Sequence, residues 1–135
     1  MKIFLDCDVL LDVMLGREKF FIHSMRVLDE CENGALQGAI AWHTLSNAYY
    51  LVPDSRQSLT FFEDLLSFVE VVGGDTELAL EAIRSNFPDF EDALQSVCAE
   101  KFKADFIVTR NVKDYKFSPI KAISPADFIG KFLAE

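Results

Sequence analysis

The chain has 135 residues, half of them hydrophobic and 13 of them Phe, enough apolar material for one domain of ordinary size spanning residues 1–135. That composition excludes disordered, collagen-like and low-complexity classes, and no apolar run approaches the ~18 residues of a membrane span. The net charge of −9 is uneven: residues 54–100 carry eleven acids and two bases, residues 101–135 four acids and seven bases, so a broad cationic footprint for nucleic acid is missing.

The opening Lys2–Leu5 is a short apolar run that reads as a buried strand. A helical pattern follows over Val9–Leu15 and stops at Gly16. The 3–4 spacing of Phe21, Met25, Leu28 and Cys31 predicts a second helix over Phe20–Asn33. Leu36–Ala41 reads as a strand, His43–Val52 as a helix closed by Pro53, Ser58–Phe68 as a helix, and Phe68–Val72 as a third strand before Gly73-Gly74. Asp75 reads as the N-cap of a helix to about Ser85, and Pro88-Asp89 opens another over Phe90–Phe102. Asp105–Thr109 and Ile120–Ile123 read as strands, and Ser124-Pro125 caps a final helix. Strands separated by helices imply βαβ units. The expected fold is a three-layer α/β/α sandwich around a five-stranded, mostly parallel sheet, with its ligand site beyond the carboxyl ends of the strands.

That rule directs attention to three acidic sets. Asp6 directly follows a buried Ile-Phe-Leu run, so its carboxylate must be paired, solvated at the rim, or bound to a metal. Asp8 and Asp12 share a helix face, where stabilisation of a helix N-terminus is the plainer role. Asp89 suits an N-cap, which leaves Asp92 free to lean over the sheet rim. Asn111, Lys113 and Asp114 follow the fourth strand. Carboxylates gathered in one site repel unless a cation intervenes, and oxygen ligands without His or Cys favour Mg²⁺ or Mn²⁺ over zinc. Such ions activate water and stabilise displacement at phosphorus.

Phe4-Leu5-Asp6-Cys7-Asp8-Val9-Leu10-Leu11-Asp12, Thr44-Leu45-Ser46-Asn47, Asp92-Ala93-Leu94-Gln95, Ile107-Val108-Thr109-Arg110-Asn111-Val112-Lys113-Asp114-Tyr115 and Ile123-Ser124-Pro125-Ala126-Asp127-Phe128 occur in that order. Together they resemble the PIN-domain family, in particular its VapC-type toxin ribonucleases, from end to end. The resemblance implies a PIN-like sandwich, metal-dependent endonucleolytic hydrolysis of RNA, a homodimer and a small antitoxin protein as partner. By the same resemblance Asp6 and Asp92 match the family's first and third acids and would ligate Mg²⁺ or Mn²⁺. The fourth position falls at Asn111, with Asp114 as a substitute ligand, so Asp6, Asp92, Asn111 and Asp114 form the expected catalytic set. Asn47 stands where the family has its second acid, usually Glu, and offers a neutral oxygen. Asp8, Asn47 and Asp89 are accessory candidates. Arg110 and Lys113 are expected to hold the phosphate backbone as fork and point charge, or else to be solvated loop cations.

Two other readings compete. A PIN fold with an eroded acidic site would be a non-catalytic binding module, which Asn47 favours. Asp6-Cys7-Asp8-Val9 also resembles the nucleophile motif of haloacid-dehalogenase-type phosphatases, but too few residues follow Thr109 for the rest of that core. Trp42, Tyr49 and Tyr50 are assigned to core packing in preference to base stacking. His23 and His43 are expected at the surface or at helix ends rather than as catalytic bases. The cysteines Cys7, Cys31 and Cys98 lack metal-ligand spacing and disulfide parity, and Cys7 between two acids is expected to be an unreactive thiol. With Asp6 interrupting the apolar start no export signal is expected, and a cytoplasmic location follows.

Overall fold

Five apolar stretches become five strands in the computed structural model, which describes residues 1–133. In chain order the elements are β1 (Lys2–Leu5), α1 (Cys7–Met14), α2 (Phe21–Glu32), β2 (Gln37–Ala41), α3 (Trp42–Leu51), α4 (Ser55–Leu65), β3 (Val69–Val72), α5 (Thr76–Ile83), α6 (Phe90–Phe102), β4 (Phe106–Val108), β5 (Ala122–Ile123) and α7 (Pro125–Phe128). A short 3-10 turn, Val112–Tyr115, lies between β4 and β5. Every pairing is parallel and the sheet order is β3-β2-β1-β4-β5. The chain therefore runs outward from β1 through β2 and β3, then returns to β1's other side for β4 and β5. The switch point is the crevice between the carboxyl ends of β1 and β4. No helix among the described residues is long and apolar enough to cross a membrane.

Side chains alternate across a strand, and this alternation makes the layers. Ile3 and Leu5 of β1 pack with Ile40, Val69 and Val108 against Val27 and Leu28 of α2 and Phe128 of α7. Phe4 points the other way, joining Ala39, Ala41, Val72 and Ile107 against Cys98, Ala99 and Phe102 of α6. All three cysteines are buried and unpaired. Burial, and then the charge of Asp6, pushes the Cys7 thiol up to about 12, which makes it inert as expected.

Several boundaries differ from the sequence expectation because side chains reset them. Helix α1 starts at Cys7 rather than Val9, since the Asp6 carboxylate accepts from Cys7 N and caps the helix one residue after the strand. Asp54 likewise starts α4 early by accepting from Gln57 N. The caps read at Asp75, Asp89 and Ser124 are present: they accept from Leu78, Asp92 and Asp127 N–H groups respectively. Strand β5 has only two residues.

Gly38 shows how closely α2 approaches the sheet. A Cβ added there would lie 2.8 Å from Cys31 Sγ, and Cys31 is buried on the same side. Gly38→Ala is expected to cost about 1–3 kcal/mol, the range for overpacking a filled core, read as a drop in the urea midpoint. An unchanged midpoint would mean that α2 can lift off the sheet without penalty.

Candidate functional site

Asp6 leaves the end of β1 and turns into the switch-point crevice. It is buried and surrounded by donors. Cys7 N donates to Oδ1 at 2.7 Å and Gln95 Nε2 at 3.3 Å; the Thr109 hydroxyl donates to Oδ2 at 2.8 Å and the Tyr115 hydroxyl at 3.1 Å. Each donor steadies the charged form, yet burial outweighs them. The Asp6 carboxyl is held above the usual carboxylate range, with the charge of Asp114 adding to the effect.

Asp8 ties α1 to the segment after β4. Its Oδ2 accepts from Arg110 N at 2.9 Å and Asn111 Nδ2 at 3.2 Å, while its buried Oδ1 has no hydrogen-bond partner. Burial and then the neighbouring charge of Asp6 push Asp8 up to about 7. In the unfolded chain the same group ionises near 3.8. Between those values the folded protein binds the extra proton, so Asp8's contribution to stability falls as pH rises through that window. Asp8→Asn is therefore expected to gain stability relative to the wild type as pH is raised from about 4 to about 7. Paired melting curves in EDTA measure this; a constant difference across the window would show that Asp8 ionises normally.

Helix α6 supplies the opposite wall. Asp89 Oδ1 accepts from Asp92 N at 3.0 Å, so Asp89 is the cap and Asp92 lies in the first turn. Burial, followed by the charges of Asp89, Asp6, Asp114 and Glu91, pushes Asp92 up to about 7. Asn47, on α3, donates through Nδ2 to Glu91 Oε2 of α6. A cleft of about 410 Å³ is lined by Asp6, Asp8, Asn47, Glu91, Asp92 and Asn111, among others. Asp92 also borders a second cavity, of about 230 Å³, with Asp89, Lys113 and Asp114. The crevice thus brings together Asp6, Asp8, Asn47, Asp92 and Asn111. Asp114 and Lys113 sit one cavity away, although Asp114 is near enough for its charge to act on Asp6 and Asp92.

Arg110 differs from the sequence expectation of a phosphate fork. Its Nε lies 3.0 Å from Asp12 Oδ2 and its Nη2 3.0 Å from Asp12 Oδ1, and its guanidinium stacks over the Phe20 ring at 3.8 Å. Asp12 is fully buried and also accepts from the Ser24 hydroxyl at 2.8 Å. A charge with no solvent needs a fork of donors, and Arg110 is spent on that. The aromatic assignment also needs correction: Trp42 and Tyr50 are 69% and 81% exposed, because the apolar face of α3 is Ala48 with Leu45 and Tyr49, packed on α1.

Glu91, Gln95, Thr109 and Tyr115 were not singled out by sequence as parts of the site. All but Glu91 contact Asp6. Gln95, Thr109 and Tyr115 lie inside stretches that carry the family resemblance and Glu91 directly precedes one, but only the fold aims Gln95 and Tyr115 at a carboxylate 89 and 109 residues away.

Among the described residues no three His, Cys, Asp or Glu side chains are gathered closely enough to hold a metal ion as they stand. What the cleft offers is an open, all-oxygen set: the Asp6, Glu91 and Asp92 carboxylates and the Asn47 and Asn111 amides. Acids that raise one another's pKa, beside an orphaned Asp8 oxygen, form an environment that a hard divalent cation stabilises. The donor chemistry fits Mg²⁺ or Mn²⁺.

Comparison with known proteins agrees with this architecture. The chain is 24% identical over 137 residues to the protein named Ribonuclease VapC1 from Aquifex aeolicus, covering 94% of this chain and 92% of that one. A toxin–antitoxin complex from Klebsiella pneumoniae is similar in fold, with TM-score 0.70 and 21% identity over 90% of this chain and 96% of that one. VapBC2 from Rickettsia felis, solved bound to a DNA fragment of its promoter, gives 0.68 and 15% over 92% and 98%. A model of the PIN domain matches residues 2–113, from β1 into the turn after β4; the chain belongs to the PIN-domain family.

Proposed function

We propose that this chain is a metal-dependent endoribonuclease that hydrolyses RNA phosphodiester bonds, and that it is the toxin of a toxin–antitoxin pair. The observation that carries the reading is the convergence of Asp6, Asp92 and Asn111 on one cleft at the switch point of a PIN fold. A relative named as a ribonuclease and structural neighbours solved as toxin–antitoxin complexes support it. Membership in the PIN-domain family removes the phosphatase alternative. The proposal takes residues 1–135 as one domain, acting in the cytoplasm as a homodimer that an antitoxin neutralises.

Asp6 and Asp92 would hold Mg²⁺ or Mn²⁺, with Asn111 as a neutral oxygen and Asp114 reaching in from the adjoining cavity. The ion, when bound, lowers the pKa of water and draws charge from a phosphodiester oxygen. The chain's own residues fix the acids. Thr109 and Tyr115 orient one Asp6 oxygen while Cys7 N and Gln95 orient the other. Asp8 holds Asn111 through its amide and the adjacent backbone N–H. Lys113 lines the cavity beside Asp92, as does Lys116, and would meet a phosphate there, since Arg110 is engaged with Asp12.

Purified protein incubated with total RNA is expected to fragment it in Mn²⁺ and not in EDTA. Asn47 favours a second reading, the non-catalytic binding module, because it removes a charge from α3's side of the cleft. Intact RNA together with no thermal shift on adding Mn²⁺ would establish that module instead.

A further inference from the structure

We infer that Glu91 joins Asp6 and Asp92 in holding the divalent ion, and that Asn47 is the positioning residue that keeps Glu91 in the cleft. The inference rests on the metal-dependent reading above. Glu91 is the second residue of α6, a first-turn position where acids are common because they face the exposed N–H groups of the helix. Glu91 is exposed, and it lines the same cleft as Asp6, Asn47 and Asp92, where its Oε2 accepts a hydrogen bond from Asn47 Nδ2 across the gap between α3 and α6.

The arrangement is costly on its own terms. It sets an exposed third carboxylate beside buried Asp6 and half-buried Asp92, and like charges repel. The one hydrogen bond from Asn47 to that carboxylate is open to solvent and offsets only part of the repulsion. A divalent cation in the cleft would attract all three carboxylates and outweigh their mutual repulsion. The role of Asn47 follows from its chemistry. Its amide hydrogens are useful only toward an acceptor, and the acceptor it has is Glu91. An Asn on α3 and a Glu on α6 together deliver a carboxylate to the side of the cleft where α3 itself provides no charge.

The test is Mn²⁺ binding by the full chain without RNA, with free Mn²⁺ followed by electron paramagnetic resonance. Glu91→Gln is expected to fold like the wild type and to weaken Mn²⁺ affinity by about tenfold or more, the lower bound for a group that merely braces a metal ligand. Glu77→Gln removes an acid from the same first-turn position of α5 and is expected to leave affinity unchanged. Adding Asn47→Glu to Glu91→Gln restores a carboxylate to that side of the cleft and is expected to recover the lost affinity. If Glu91→Gln binds Mn²⁺ no more weakly than Glu77→Gln, or if the double variant recovers nothing, the inference is overturned while the nuclease reading stands. If the wild type takes up no Mn²⁺ and leaves RNA intact, both fall together.

Discussion

Asp6→Asn is expected to leave a folded protein whose metal-dependent RNA cleavage is reduced by about a thousandfold or more. The size follows from what the charge does. A metal-held transition state is stabilised by several kcal/mol, and each 1.36 kcal/mol is a factor of ten in rate. Asn keeps the shape but supplies no charge, so an ion held in the cleft as proposed would lose a charged ligand. The fold has reasons to tolerate the change. The Asn oxygen can take the place of Oδ1, accepting from Cys7 N and Gln95, while the Thr109 and Tyr115 hydroxyls rotate to accept from the new amide. Removing a buried charge also relieves the desolvation that raises the Asp6 pKa. Cleavage of total RNA in Mn²⁺, beside a thermal melt of each protein, separates the two effects. Cleavage retained above a tenth of wild type would place the chemistry elsewhere, and a collapsed melt would make Asp6 a structural acid first.

The legible parts of the molecule were those written in local chemistry. Strand β1 and helix α6 fall where the apolar runs and the Asp89 cap put them, and the alternation of strands with helices is enough to demand parallel pairing. Asp6 and Asp92 could be named because strand ends and caps fix where such acids lie relative to the sheet. What escaped depends on distant packing. Nothing near Arg110 in sequence says that Asp12, 98 residues earlier, lies fully buried beneath it. Trp42 and Tyr50 look like core residues by composition, yet α3 packs on α1 through Ala48 and leaves them outside. Glu91 looked like one more acid in a helix's first turn, and only the approach of α3 to α6 gives it Asn47 as a partner. Short-range signals thus set the elements and the first acids. The roles of second-rank polar residues came from the topology.

Arg110→Ala is expected to destabilise the protein by about 3–5 kcal/mol, the usual cost of removing one member of a buried ion pair. Asp12 has no exposed surface, so it cannot exchange the lost partner for water. Without Arg110 it keeps the Ser24 hydroxyl at 2.8 Å and the Arg17 guanidinium at 3.4 Å, and the latter sits on a side chain more than a third exposed. Arg110→Lys should recover only part of the loss, because a point charge cannot reproduce the two-pronged contact or the stacking over Phe20. The double variant Arg110→Ala, Asp12→Asn is expected to be more stable than Arg110→Ala alone, since the penalty comes mostly from the stranded charge rather than from the missing contact. Urea unfolding of the wild type, Arg110→Ala, Asp12→Asn and the double variant completes the cycle. A loss below 1 kcal/mol in Arg110→Ala would mean that Arg17 swings in to replace it. The consequence reaches the cleft, because the backbone N–H of Arg110 itself donates to Asp8 and Asn111 follows directly. A side chain anchored on Asp12 fixes that segment from behind, so the cation expected to grip substrate is the one that keeps the site's loop in register with α1.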